Sequence, residues 1–141
     1  VTNDGKLLAG PGFGNSNFAK SRKNYIQETN ANNLSAIVRH ADAHAVLATA
    51  STFHFLIRDK VRAVNRIGGA TKWLASLEGA NTLALAGTTL FVGGKDRVIA
   101  LDSVNGKELW TAVVNGEVHA LAIANRKLFA STSSGKIYCY Q

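Results

Sequence analysis

Short apolar stretches separated by small polar residues run along most of the chain. In the clearest part, residues 83–114, the stretches are rich in Val, Ile, Leu and Ala and alternate with Gly, Asn, Asp and Thr. Such a pattern favours β-strands over helices. It predicts antiparallel strands at 83–86, 89–93, 97–102 and 107–114, joined by the turns Gly87-Thr88, Gly94-Lys95-Asp96 and Val104-Asn105-Gly106. The sequence therefore predicts an all-β fold.

The same pattern returns after 37 residues. Residues 61–73 align without a gap with residues 98–110, and each segment ends in Trp. A further copy begins at Leu121, is displaced by 38 residues, and reaches Gln141 before any Trp. A degenerate earlier copy has Ala36 at the Trp position. Units of about 40 residues with four strands each predict the blades of a β-propeller.

The repeats divide the chain into about three to four antiparallel blades, each of four strands except the last. The predicted units are 1–44, a degenerate blade with an enlarged loop at 10–23; 45–79, with Trp73; 80–117, with Trp110; and 118–141, an incomplete blade lacking its outer strand. A closed ring has about 4–8 blades and no open edge. We therefore expect remaining blades of the same polypeptide before Val1 and a closing last blade near Gln141. The alternative is a chain that stops short of its final strand.

A motif in the third unit resembles that of a known family. Its residues Ala100, Asp102, Gly106, Lys107 and Trp110 stand in the order Ala-x-Asp-x-x-x-Gly-Lys-Glu-x-Trp. This order resembles the tryptophan-docking motif of propellers with pyrroloquinoline-quinone (PQQ)-like repeats, the quinoprotein type. That family includes quinone-dependent alcohol dehydrogenases and outer-membrane-assembly lipoproteins of BamB type. The resemblance is good over residues 83–141 and weaker over 45–79.

The resemblance implies a structural role for the tryptophans and leaves three functions open. In the family this Trp docks one blade against the next, which implies the same role for Trp110 and, through the internal repeat, for Trp73. The favoured function is a non-catalytic scaffold for protein–protein interaction, in the bacterial periplasm or another extracytoplasmic place, without a cofactor. The alternatives are the C-terminal part of a dehydrogenase that binds PQQ with calcium, and an accessory subunit of an electron-transfer assembly. Quinone dehydrogenases use adjacent cysteines and acidic calcium ligands, whereas this chain has Cys139 alone.

The charge of the chain points to the kind of partner. The formal net charge is +7, and residues 1–72 hold ten Lys or Arg against four acids. Such an excess can attract an acidic protein, anionic lipid or nucleic acid. The basic residues stand in short groups without interleaved stacking aromatics, so we expect no specific nucleic-acid binding and favour a protein partner, acidic where charge contributes. Neither a transmembrane segment nor a signal segment is predicted.

Three groups of residues are candidates for binding. The enlarged loop holds the partner-contact candidates Phe13, Phe18, Lys20, Arg22 and Lys23, with an irregular surface loop as the alternative. His40, Asp42 and His44 would point the same way on an extended chain and are weak candidates for a metal site, against a polar linker between blades. His44, Asn81 and His119 precede the first strand in successive units and are expected at the channel mouth, where they bind solvent or a ligand or satisfy backbone groups. No catalytic residue is predicted.

Overall fold

The computed structural model describes residues 6–9 and 25–141, and this part of the chain consists of β-strands and turns. The strands are β1 (Lys6–Ala9), β2 (Tyr25–Asn30), β3 (Ala36–Ala41), β4 (Ala43–Ala48), β5 (Thr52–Ile57), β6 (Lys60–Asn65), β7 (Thr71–Ser76), β8 (Thr82–Ala86), β9 (Thr89–Gly93), β10 (Lys95–Asp102), β11 (Glu108–Ala124), β12 (Lys127–Thr132) and β13 (Ile137–Tyr140). The predicted all-β class is confirmed. The described residues hold no helix long and apolar enough to cross a membrane.

Each strand pairs antiparallel with its neighbour in sequence, within three sheets. The first sheet has the order β1-β2-β3, the second β4-β5-β6-β7, and a six-stranded sheet runs from β8 to β13. The long strand β11 belongs to two blades, because its first part pairs with β10 and its second part with β12. We call β8, β9, β10 and the first part of β11 the third sheet. The second part of β11 with β12 and β13 forms the closing sheet, which has three strands among the described residues.

The strands predicted for the third sheet are present, with two differences. The third strand begins at Lys95, so the predicted turn Gly94-Lys95-Asp96 is wrong for its last two residues, which belong to β10. The predicted fourth strand, 107–114, continues in the structure to Ala124. Gly116 has a φ of 90° and bends the chain between the two sheets. The ladder slips at this point but resumes, with Lys95 opposite Glu117. A glycine that bends the chain without ending the ladder joins two predicted strands into one.

The core consists of one apolar cluster at each junction between successive sheets. The first cluster joins the first two sheets around Ile26, Phe53 and Phe55. The second joins the second and third sheets and is the largest; it contains Leu56, Val61, Trp73, Leu77, Leu90, Val92, Ile99 and Leu101. The third joins the third and closing sheets around Val98, Val118 and Leu128. We call these contacts the first, second and third junctions.

The first sheet corrects the predicted register of the earliest unit. In the second and third sheets the Trp pairs with an alanine just before the ladder slips by one residue; the pairs are Ala63–Trp73 and Ala100–Trp110. In the first sheet the pair before the slip is Glu28–Val38. The assignment of Ala36 to the Trp position is therefore wrong, and Val38 stands there.

The turn before Val38 agrees with this register. Gly106 has a φ of 76°, and its N–H donates to the carbonyl of Asp102 at 2.8 Å. Leu34 has a φ of 59°, and its N–H donates in the same way to Asn30 at 2.8 Å. Leu34 thus occupies the left-handed position that glycine occupies in the other sheets. This unit has neither the Gly of the turn nor the Trp of the strand, so the alignment based on sequence was wrong by two residues.

Candidate functional site

Trp73 lies across the second junction and contacts the turn between β10 and β11. Its indole N–H donates to the carbonyl oxygen of Ser103 at 3.1 Å. A Cβ on Gly106 would come within 2.7 Å of the ring atoms Cδ2 and Cε3, so only glycine lets the indole lie this close. The side chain of Trp73 is 9% exposed. One aromatic ring thereby covers a glycine and satisfies a carbonyl of the next sheet.

His54 binds the same carbonyl from strand β5. Its Nε2 lies 3.0 Å from the oxygen of Ser103, and because a carbonyl only accepts, Nε2 carries the proton. The ring is buried beside Trp73, with 5.6 Å between centroids. Burial lowers the pKa of His54 below 6.5, the hydrogen bond to Ser103 opposes this, and the positive charge of Lys72 lowers it further. The histidine is therefore neutral at pH 7 and serves as a second donor across the junction.

The residues of the family-like motif lie around this turn. The carboxylate of Asp102 accepts from the N–H of Val104 at 2.7 Å and of Asn105 at 3.2 Å. The N–H of Lys107 donates to the side chain of Asn105, and Ala100 is buried in the third sheet. The motif thus shapes the turn that Trp73 contacts.

Trp110 has a different environment from Trp73, although both stand at the same place in their sheets. It is 37% exposed and meets the ring of Tyr140 edge-on, with 5.0 Å between centroids. Burial by its surroundings raises the pKa of Tyr140, and the neighbouring Tyr138 adds to this. Trp110 therefore contacts Tyr140, which in turn packs against the apolar cluster of the third junction.

The first junction contains a buried ion pair in addition to its apolar cluster. Glu28 and His40 are both buried, and His40 Nε2 lies 2.7 Å from Glu28 Oε1. The ammonium group of Lys6 lies 3.2 Å from the other carboxylate oxygen of Glu28. The His40 ring stacks on Phe55 with 3.9 Å between centroids. Glu28 stands in the register that Ala63 and Ala100 hold, so a carboxylate with two partners replaces a methyl group.

A cavity of about 450 Å³ opens at this junction, next to the polar cluster. Its walls include the strand β3, part of β6 and the turn after β6. The lining residues include Glu28, Val38, Arg62, Arg66 and Gly69. The guanidinium of Arg62 lies 5.8 Å from the Phe55 ring and that of Arg66 lies 5.1 Å from the Phe53 ring. Cations over aromatic faces therefore form one side of the cavity.

The three residues proposed for a metal site do not come together. Their grouping assumed an extended chain, but Asp42 has a φ of 59° and reverses the chain between β3 and β4. His40 is buried against Glu28, His44 is exposed, and Asp42 lies 3.7 Å from Arg58. In the described ranges no cluster of three His, Cys, Asp or Glu is arranged to hold a metal ion.

The predicted channel-mouth residues His44, Asn81 and His119 are all exposed. His44 lies at a shift in the pairing register of β4 with β5, and His119 lies at the equivalent shift in the pairing of β11 with β12. The N–H of Asn81 bonds to Gly93 O, which is also opposite Thr82. A bulge at the same place in successive sheets turns a side chain out of the ladder. The loop candidates Phe13, Phe18, Lys20, Arg22 and Lys23 lie outside the described residues.

Two turns at the same end of their sheets expose large apolar side chains. Ile67, in the turn after β6, is 93% exposed, and Val104, in the turn after β10, is 58% exposed. They stand 37 residues apart, at equivalent positions of the repeat. Exposed apolar side chains that recur in register are suited to contact another protein.

Sequence reasoning missed His54 as a donor and the cluster of Lys6, Glu28 and His40. His54 stands between Phe53 and Phe55 on a strand, and this local pattern does not predict that its side chain contacts a turn of the next sheet. A polar residue at a position where the other units carry alanine is the signal that would have found Glu28, but only in the correct register.

Known proteins share this fold. Residues 58–141 match the family model described as outer membrane protein assembly factor BamB. No curated protein matches this sequence. The crystal structure of BamB from Moraxella catarrhalis is similar with a TM-score of 0.71 and 19% identity, over 84% of this chain and 39% of that one. The chain thus spans well under half the length of that protein.

Two further solved structures are similar. The computationally designed Ika4 protein has a TM-score of 0.76 and 16% identity, over 99% of this chain and 86% of its own. A europium-containing methanol dehydrogenase has a TM-score of 0.56 and 22% identity, over 68% of this chain and 22% of its own. The predicted fold, a fragment of a β-propeller with antiparallel blades, is confirmed. Among the described residues the second and third sheets have four strands each, and the closing sheet has three.

Proposed function

Because the chain belongs to the BamB-type family of propellers with PQQ-like repeats, we propose that it is a non-catalytic scaffold for protein–protein interaction in a bacterial envelope or multi-subunit complex. The observation that carries the proposal is the pair of exposed apolar residues, Ile67 and Val104, at equivalent turns. Two such side chains on one end of adjacent blades offer a partner a repeated apolar contact. The family supports an extracytoplasmic place for this contact.

The junctions give the scaffold its rigidity in this proposal. We assign Trp73 the docking role, supported by its contact with Gly106 and its bond to Ser103. Asp102, Lys107 and Ala100 then serve to shape or back the docking turn, and Trp110 docks toward the closing blade. The division into blades at residues 44, 79 and 117 belongs to the same proposal. The break between β7 and β8 and the change of pairing partner after Glu117 support the last two limits, whereas the second sheet already begins at Ala43.

The partner proposed here is a protein, with acidic character where the basic excess of the chain contributes. The net charge of +7 supports an electrostatic share in binding. Binding that depends on charge weakens as salt rises, whereas apolar contact does not. Capture of the partner at low and at high salt separates the two shares.

The experiment compares capture by the full chain and by matched variants. Tagged protein is incubated with a detergent extract of bacterial envelopes, and bound proteins are quantified by mass spectrometry. We expect the double variant I67S/V104S to lose a defined partner that the unchanged chain retains. Val113 is 84% exposed but lies on a strand rather than in a turn, so V113S is the matched control and should retain the partner. Equal capture by all three proteins would contradict the proposal.

The likeness to methanol dehydrogenase supports a second candidate, the C-terminal part of a quinone-dependent dehydrogenase that uses PQQ with calcium. An accessory subunit of an electron-transfer assembly is a third candidate. Titration of the protein with PQQ and calcium, followed by absorption, tests the dehydrogenase directly. Saturable binding together with dye-linked oxidation of an alcohol would overturn the scaffold in favour of the enzyme.

A further inference from the structure

The first and second junctions each contain a turn with a glycine of positive φ, but a tryptophan ring lies on that glycine only at the second junction. At the second junction the indole of Trp73 lies on Gly106, which has a φ of 76°. The equivalent glycine of the second sheet is Gly69, with a φ of 69°. A Cβ placed on Gly69 would meet no atom of the described residues within 4 Å. The glycine surface that contacts an indole at the second junction is thus also present at the first junction, where no indole of the described residues covers it.

The reason lies on the facing strand. Val38 stands in the register of Trp73, and a valine is too short to reach across to Gly69. Both Val38 and Gly69 line the cavity of about 450 Å³. Sites for small molecules have volumes of about 300–1,000 Å³. We call the space between Val38 and Gly69 the slot.

The walls of the slot carry positive charge. Glu28 is already held by His40 at 2.7 Å and Lys6 at 3.2 Å, so its carboxylate has partners on both oxygens. Arg62 and Arg66 also line the cavity. Arg62 forms no salt bridge with a carboxylate of the described residues. The Nε of Arg62 is buried and has no hydrogen-bond partner among the described residues. A buried donor without an acceptor is costly, and an anion beside it would remove that cost.

We propose that the slot binds a small aromatic carboxylate. The planar ring lies on Gly69 as the indole of Trp73 lies on Gly106, and the carboxylate accepts a hydrogen bond from Arg62. A ring N–H would donate to the backbone carbonyl of Arg66, which is the equivalent of the Ser103 carbonyl that accepts from Trp73. The ligand replaces the missing Trp and closes the first junction.

Calorimetric titration of the protein with three indoles of different charge tests the proposal. The probes are indole-3-acetate, neutral indole and the cation tryptamine. We expect saturable binding of one indole-3-acetate per chain, about tenfold weaker binding of indole, and weaker binding still of tryptamine, because each tenfold step reflects one favourable or unfavourable charge contact. In NMR spectra the amide signals of Gly68 and Gly69 should shift with the same saturation curve.

Two variants separate shape from charge. V38W supplies the missing ring from the chain itself, so we expect it to raise the melting temperature and to abolish binding of indole-3-acetate. R62Q keeps the slot but removes the charge, so we expect the preference for indole-3-acetate over indole to fall from about tenfold to nearly none. Arg97 is an exposed cation on β10, away from the slot, and R97Q is the matched control that should leave both affinities unchanged.

Several results would overturn the proposal. Equal affinity for tryptamine and indole-3-acetate would remove the charge argument, and unchanged binding in V38W would place the ligand elsewhere. If V38W does not fold, R62Q and the Gly69 signal still decide the matter: no shift at Gly69 on addition of indole-3-acetate contradicts the slot. The scaffold function is tested by the capture experiment with I67S/V104S, and its outcome does not depend on whether the slot binds a ligand.

Discussion

Two tryptophans at equivalent positions differ in what covers them, which predicts different contributions to stability. Trp73 is nearly buried between a glycine and His54, whereas Trp110 is 37% exposed. Truncation of a buried Trp leaves a cavity and costs about 3–5 kcal/mol. We expect W73A to lower the free energy of unfolding by this amount and W110A by about 1–2 kcal/mol, since less apolar area is lost. Urea denaturation of both variants measures the difference, and an equal loss would contradict it.

His54 predicts a dependence of stability on pH. Its pKa is lowered from 6.5 in the folded chain, chiefly by burial, and returns to the ordinary value on unfolding. Below pH 6.5 the unfolded chain therefore binds more protons than the folded one, so stability falls as the pH falls. Well above pH 6.5 His54 is neutral in both states and contributes no slope.

The measurement is a series of urea denaturations between pH 5 and pH 8. We expect H54Q to lose the part of the slope below pH 6.5 that comes from this ring, because glutamine keeps a donor near Ser103 and does not titrate. His44 is exposed and its replacement, H44Q, is the control that should retain the slope. If H54Q and the unchanged chain have parallel pH profiles, protonation of His54 is not linked to unfolding.

The turn between β2 and β3 predicts a stabilising substitution at the scale of a single element. Leu34 has a φ of 59°, in a region that costs an L-residue about 1–2 kcal/mol. Its side chain is largely exposed, so little burial is lost when it is removed. Glycine relieves the strain and costs about 0.5–1 kcal/mol through the freedom of the unfolded chain. We expect L34G to raise the free energy of unfolding by up to about 1 kcal/mol.

The contrasting change is made at the equivalent turn of the third sheet. G106A places a Cβ within 2.7 Å of the Trp73 ring, at a φ of 76°. We expect it to destabilise the protein by about 2 kcal/mol or more, from strain and from displacement of the indole. Thermal denaturation of L34G and G106A provides the comparison. A destabilised L34G would mean that Leu34 makes a contact worth more than its backbone strain.

The elements differ in how much of them the sequence predicted. The strands of the third sheet follow from short apolar stretches and from Asn105-Gly106, because both signals are local. The continuous strand β11 was predicted as two, since the effect of Gly116 depends on the ladder with β10. The first unit was misaligned because Val38 and Leu34 replace the two residue types that mark the motif. The polar first junction depends on which residues of β2 and β3 meet β6, which no local pattern contains.

The whole molecule has junctions of unequal strength. The second junction combines the largest apolar cluster with two donors to Ser103, His54 and Trp73. The first has a smaller cluster, a buried Glu28 and an open cavity beside Val38. Local opening of a protein follows such differences, since units with few buried apolar contacts open at lower free energy. The first sheet is therefore the part expected to separate from the rest most readily.

Native-state hydrogen exchange tests this order. We expect amides in β2 and β3 to exchange at least about tenfold faster than those in β6 and β10, which corresponds to about 1.4 kcal/mol less protection. V38W should reduce this difference in exchange rate, because a ring on Gly69 would join the first sheet to the second as Trp73 joins the second to the third. V113S alters an exposed side chain of β11 and should leave the difference unchanged. Uniform protection across the sheets, or protection in β2 and β3 that V38W does not raise, would mean that the chain opens as one unit and that the first junction is as strong as the second.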